Sequence, residues 1–147
     1  MKLWIEQNDT QEETEIHIKC GMINADLQRI INEIHALMFS LPVLKDGAVS
    51  KISLDEIFYI ESVEEKTFVY SKAEVYTCEY KLYEIEEKIG KYSFARISKS
   101  TIVNICKILE IKPQINGRFE ALLDNGERQI VNRHYVNGLK EKFLREI

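Results

Sequence analysis

The chain opens on alternating apolar and polar positions. Leu3 and Ile5 alternate with Lys2, Trp4 and Glu6, and Ile16, Ile18 and Cys20 repeat the alternation after an Asn8-Asp9 turn signal. A period of two predicts two short, half-buried strands. The period then changes. Leu27, Ile30, Ile31, Ile34, Leu37 and Met38 fall at offsets 0, 3, 4, 7, 10 and 11, one stripe on a 3.6-residue repeat. Asn24 is placed to cap this helix, and Asp26 in its first turn suits the helix dipole. Pro42 disfavours helical geometry at Leu41, so the helix is expected to end near Ser40. Residues 1–44 therefore read as a ββα unit. So small a unit must pack on the rest of the chain or on a second copy.

From Asp46-Gly47 onward short strands dominate. Ser53 and Glu56 have capping-box spacing, predicting one helical turn before a strand through Ile57–Ile60. Phe68 and Tyr70, then Val75 and Tyr76, follow on either side of the polar turn Ser71-Lys72-Ala73-Glu74. Leu82, Ile85 and Ile89 mark a helix stopped by Gly90 at its C′ position. Asn116-Gly117 and Asp124-Asn125-Gly126 are hairpin signals bounding three further strands. Tyr135, Leu139 and Phe143 recur every four residues and predict a C-terminal amphipathic helix.

Composition narrows the class. With 147 residues, 45% apolar and 30% charged, the chain can hold one ordinary domain and is neither disordered nor low-complexity. The longest nearly apolar stretch, Ala36 to Leu44, falls far short of the ~20 residues that cross a bilayer. No secretion signal is apparent, and a cytoplasmic protein is expected. Cys20, Cys78 and Cys106 are odd in number and widely spaced, so they read as small buried hydrophobes. His17, His35 and His134 have no metal-ligand spacing, and His35 reads as a boundary core residue. Glu64-Glu65 and Glu86-Glu87 read as solvated carboxylates. Phosphate-cradling glycine motifs and nucleophile elbows do not occur, so neither enzymatic activity nor a cofactor is expected.

The net charge of −4 would normally lower the odds of a nucleic-acid partner. Its distribution changes that. Residues 1–45 carry −3, residues 46–90 carry −6 and residues 91–147 carry +5. Within the basic third, Ser98-Lys99-Ser100-Thr101 lies between the apolar anchors Ile97 and Ile102, and Asn132-Arg133-His134-Tyr135 opens the last helix. Hydroxyls and backbone N–H groups bind phosphate, while Lys and Arg add charge or reach base edges. A polar loop and a capping asparagine would look the same. Composition alone leaves both readings open.

The residues Phe94-x-Arg96-x-x-x-Ser100-x-Ile102-Val103-Asn104, then Asn125-Gly126-Glu127, then Val131-Asn132-Arg133-His134-Tyr135-Val136-x-x-Leu139-Lys140 run in this order along the chain. This set resembles the LytTR family of bacterial DNA-binding domains, over about two-thirds of the chain. The resemblance implies an α+β fold, mainly antiparallel β in small sheets with short helices, over residues 45–147. Residues 1–44 resemble the segment that replaces a receiver domain in short stand-alone members, so aspartate phosphorylation is not the expected input. Family members read double-stranded DNA, at promoter repeats, through loops entering successive major grooves.

Carried over by position, the resemblance assigns Lys66 or Thr67 to the first reading loop. It assigns Lys99 to the second, with Ser100 on phosphate, and Arg133 and His134 to the third, with Asn132 in support. Lys81 is implied as a phosphate contact, while Arg96 and Asn104 are motif positions open to a DNA or a scaffold role. Departures from the family are Ser98, where a ring or amide is common, and His134, where a second arginine is common. Glu64-Glu65, beside the first loop, repels phosphate. A homodimer and a membrane-protein regulator encoded nearby are further expectations. The competing class is a protein–protein interaction module, binding a membrane or regulatory partner with little affinity for DNA.

Overall fold

The computed structural model describes residues 1–146, with side chains through Leu144. The helical stripe forms α1 (Ala25–Met38), capped as its sequence predicts: the Leu27 N–H donates to Asn24 Oδ1 at 2.9 Å. Phe39 closes it by donating its N–H to the His35 carbonyl, and the chain turns at once into β1 (Ser40–Lys45). β1 forms a hairpin with β2 (Ala48–Ser53) across Asp46 and Gly47, both at positive φ. That two-residue turn matches strand twist, and the hairpin straddles residue 45.

The two strands expected within residues 1–23 are not formed. The Asn8 turn is present, with the Gln11 N–H donating to the Asn8 carbonyl, but the flanking segments pair with nothing and are exposed. The physical reason lies in their charges. Aligning Leu3 with Ile18 and Ile5 with Ile16 in a hairpin sets Lys2 opposite Lys19 and Glu6 opposite Glu15. Like charges directly opposite one another oppose pairing.

A 3₁₀ turn at Leu54–Glu56 precedes β3 (Tyr59–Val63), although the Ser53 hydroxyl makes no capping bond. Then come β4 (Lys66–Tyr70), β5 (Val75–Cys78), α2 (Leu82–Ile89), β6 (Phe94–Arg96) and β7 (Thr101–Asn104). These strands form a seven-stranded antiparallel sheet in the order β2-β1-β5-β4-β3-β7-β6. A second sheet of three strands follows, β8 (Ile108–Pro113), β9 (Phe119–Leu123) and β10 (Arg128–Val131), and the chain ends in α3 (Val136–Glu146). The fold is α+β, mostly antiparallel sheet with short helices. Gly90 caps α2 in right-handed geometry (φ −64°) rather than in the left-handed C′ conformation expected. A Cβ there would collide with the Glu86 carbonyl.

Two cores result, and the central strands feed both. Ile60, Phe94 and Ile102 face the core beneath α2, whereas Tyr59, Ala95 and Val103 face the one shared with β8–β10 and α3. Successive side chains of a strand point to opposite faces, so strands covered on both sides carry continuous apolar runs. His35 is half-buried against Phe39 and Tyr92, a boundary position as expected. Of the three thiols, Cys78 alone is buried, and burial pushes its pKa up; Cys20 and Cys106 are exposed.

Candidate nucleic-acid interface

Three loops meet at one end of the large sheet. The β3–β4 hairpin turns through Glu64 and Glu65, with Val63 paired to Lys66. β7 runs antiparallel to β3 with Thr101 opposite Glu61, so the loop from Ile97 to Ser100 emerges at the same end. The Ser62 N–H donates to the Ser100 carbonyl at 2.8 Å, joining hairpin and loop. The Asn132 N–H donates to the Ile97 carbonyl at 2.9 Å, joining the segment after β10 to the same loop. β5 ends at Cys78, opposite Thr67, which brings Lys81 at the start of α2 to this end as well.

Lys66, Lys81, Lys99, Asn132, Arg133 and His134 are all exposed there. The loop is internally braced: Ser98 Oγ accepts from the Ser100 N–H at 3.1 Å, and the two hydroxyls lie 3.3 Å apart. Asn132 precedes a 3₁₀ turn at Arg133–Tyr135 but makes no side-chain cap, and it is exposed. The His134 ring packs edge-on against Tyr135. Arg133 lays its aliphatic stem over Gly117 in the β8–β9 turn, where a Cβ would come within 2.7 Å of Cδ.

Two predicted site residues are not accessible. Thr67 is 4% exposed, facing inward between β3 and β5. Asn104 is 2% exposed; its amide donates to the Ile57 carbonyl at 2.8 Å and its Oδ1 accepts from the Cys106 N–H. Both side chains are buried, and Asn104 has its amide bonds made inside the fold. Arg96 is largely committed too. Its Nε and Nη2 lie 2.9 and 2.8 Å from Glu86 Oε2, and Nη1 donates to the Lys99 carbonyl at 2.5 Å. This forked contact fixes the Lys99 loop from behind.

Sequence reasoning did not single out Gly117 as the seat of Arg133, or Lys142, whose ammonium donates to the Gly90 and Phe94 carbonyls at 2.9 Å. Glu86, read as solvated, is the partner of Arg96. The strand–helix pairing behind that contact leaves no local signal. The basic excess of the last third is also partly engaged: Lys112 and Arg128 pair with Glu120, and Lys140 covers the Phe119 ring. Glu64 and Glu65 both hold left-handed φ (50° and 67°), a strained arrangement for non-glycine residues at the tip of the first loop.

Residues 47–144 match the family described as the LytTr DNA-binding domain. The chain is 28% identical over 145 residues to the sensory transduction protein LytT of Bacillus cereus, covering 99% of this chain and 54% of that protein. It thus spans about half the length of that relative. An HTH-type transcriptional regulator of Staphylococcus aureus, uncharacterized, is 25% identical over 144 residues, covering 97% of this chain and 96% of its own. Among solved structures, a LytTr DNA-binding domain from Bacillus cereus superposes with a TM-score of 0.66 at 28% identity, over 70% of this chain and 94% of that one.

Proposed function

Because the chain belongs to the LytTR family of DNA-binding domains, we propose that it regulates transcription by reading specific sequences in double-stranded DNA through its loops. The observation that carries this reading is the pair of backbone bonds, Ser62 to Ser100 and Asn132 to Ile97, which hold three cation-bearing loops together at one end of the sheet. Lys99, Arg133 and His134 are the base-reading residues, supported by Asn132. Lys66, Lys81 and Ser100 contact phosphate, and Arg96 positions Lys99 without itself reading bases. Residues 45–147 form the DNA-binding unit; residues 1–44 serve dimerisation or partner docking.

A binding-shift titration tests the proposal, comparing the promoter of the protein's own operon with random duplex at several salt concentrations. Preference for the promoter is expected, with affinity falling steeply as salt rises because bound phosphates release counterions. Equal binding to both duplexes at moderate salt would overturn it. Arg133→Ala should cost about 1–3 kcal/mol of specific binding and relax base preference at one position.

A second reading is favoured by the exposed apolar side chains of residues 1–23: an interaction module for a membrane or regulatory partner. Retention of biological activity after replacing Lys99 and Arg133 together would select it.

A further inference from the structure

Residues 1–23 carry an apolar surface that the rest of the chain leaves uncovered. Leu3, Trp4, Ile5, Ile16, Ile18 and Met22 are 43–88% exposed. The alternation makes the segment two strands in search of neighbours, and the charges determine which neighbour fits.

Within one chain, the register that matches all four aliphatic residues opposes Lys2 with Lys19 and Glu6 with Glu15. Two copies of the second strand do the reverse. Paired antiparallel about His17, Ile16 of each copy faces Ile18 of the other, and Glu15 of each faces Lys19. Residues 15, 17 and 19 then share one face of the ribbon, and 16 and 18 the other. Charged and apolar pairs are segregated and both are complementary. Ile16 and Ile18, 61% and 43% exposed, are also less exposed than Leu3 and Ile5, at 88% and 77%.

We propose that a second copy of this chain pairs with residues 15–19 as an antiparallel strand centred on His17, making a two-fold dimer through the N-terminal segment. This rests on the dimer named in the proposed function and specifies its contact.

Sedimentation of the full-length chain tests the register. The wild type is expected to be dimeric at micromolar concentration. Glu15→Lys alone, or Lys19→Glu alone, turns two attractive cross-strand pairs into repulsive ones and should weaken dimerisation on the order of tenfold. The double variant restores opposite charges and should return to within a few-fold of wild type. An intrachain hairpin gives the opposite sign, since Glu15→Lys would then face Glu6 and Lys19→Glu would face Lys2. In a Cys20→Ser background, His17→Cys should form a disulfide-linked dimer under mild oxidation, because equivalent residues meet on the axis.

A monomeric wild type at high micromolar concentration, single variants that dimerise as tightly as the wild type, or a double variant that fails to recover would each overturn the proposal. Binding of a single half-site duplex, measured alongside, separates the two readings. It should be unchanged in Glu15→Lys, and its loss in the wild type would count against DNA recognition while leaving the dimer result standing.

Discussion

β7 and the segment from Glu15 to Cys20 are both short and rich in aliphatic residues, adjacent in β7 and alternating in the other, and they end differently. Both carry closely spaced aliphatic residues among polar ones, yet Ile102 and Val103 are fully buried while Ile16 and Ile18 are not. β7 has β3 on one side, β6 on the other, and a core on each face. The N-terminal segment has a register conflict where its neighbour would be. An alternating pattern thus says which face of a strand wants burial, while cross-strand charge decides whether its own chain can supply the partner.

The largest expected contrast comes from truncating the two equivalent isoleucines. Ile102→Ala should cost about 2–5 kcal/mol in denaturant unfolding, from lost burial and the cavity left behind. Ile16→Ala should stay within about 0.5 kcal/mol at concentrations where the chain is monomeric. A large loss at Ile16 in the monomer would erase the distinction.

Asn104→Ala, which strips bonds from the Ile57 carbonyl and the Cys106 N–H, should cost about 1–3 kcal/mol. DNA affinity per folded molecule should hold, in contrast with Arg133→Ala. An affinity loss without a stability loss would return Asn104 to the interface.

A third contrast is chemical. Tyr59 stacks on Tyr70 with ring centroids 4.3 Å apart, and both hydroxyls sit near carboxylates. Burial first, then Glu127 for Tyr59 and Glu61 for Tyr70, raise both pKa values above the ordinary 10.0. A phenol held protonated in the fold gives stability that is complete below pH 10 and is lost as pH climbs from there toward the folded-state value. Unfolding free energy should therefore fall above pH 10, by up to ~1.4 kcal/mol per pH unit for each group. Tyr59→Phe should flatten that slope. The smallest effect is kinetic: a thiol reagent should label Cys20 and Cys106 at once and Cys78 only on unfolding.

Much of this molecule is legible in its sequence. The α1 stripe, the Leu82-Ile85-Ile89 helix and the Asn116-Gly117 turn are local patterns, and local patterns survive into the fold. What fails is anything decided across the chain. Asn104 and Thr67 look like ligands because they are polar residues within a motif or beside a loop. The β4 alternation carried a corrective signal, since Thr67 shares its face with the buried Val69. For Asn104 the equivalent information is held by two carbonyls some fifty residues earlier. The Arg96–Glu86 contact joins a strand to a helix, and no sequence spacing announces it.

The seat of Arg133 on Gly117 reaches beyond packing. If Arg133 reads a base, its aim is set by a hairpin turn that touches no nucleotide, and a single methyl at residue 117 would swing the guanidinium aside. Target choice in this protein can then drift through a residue outside the DNA contact. Two relatives with identical reading residues could therefore answer to different promoters, and a search for altered specificity should include the turn as well as the fingers it supports.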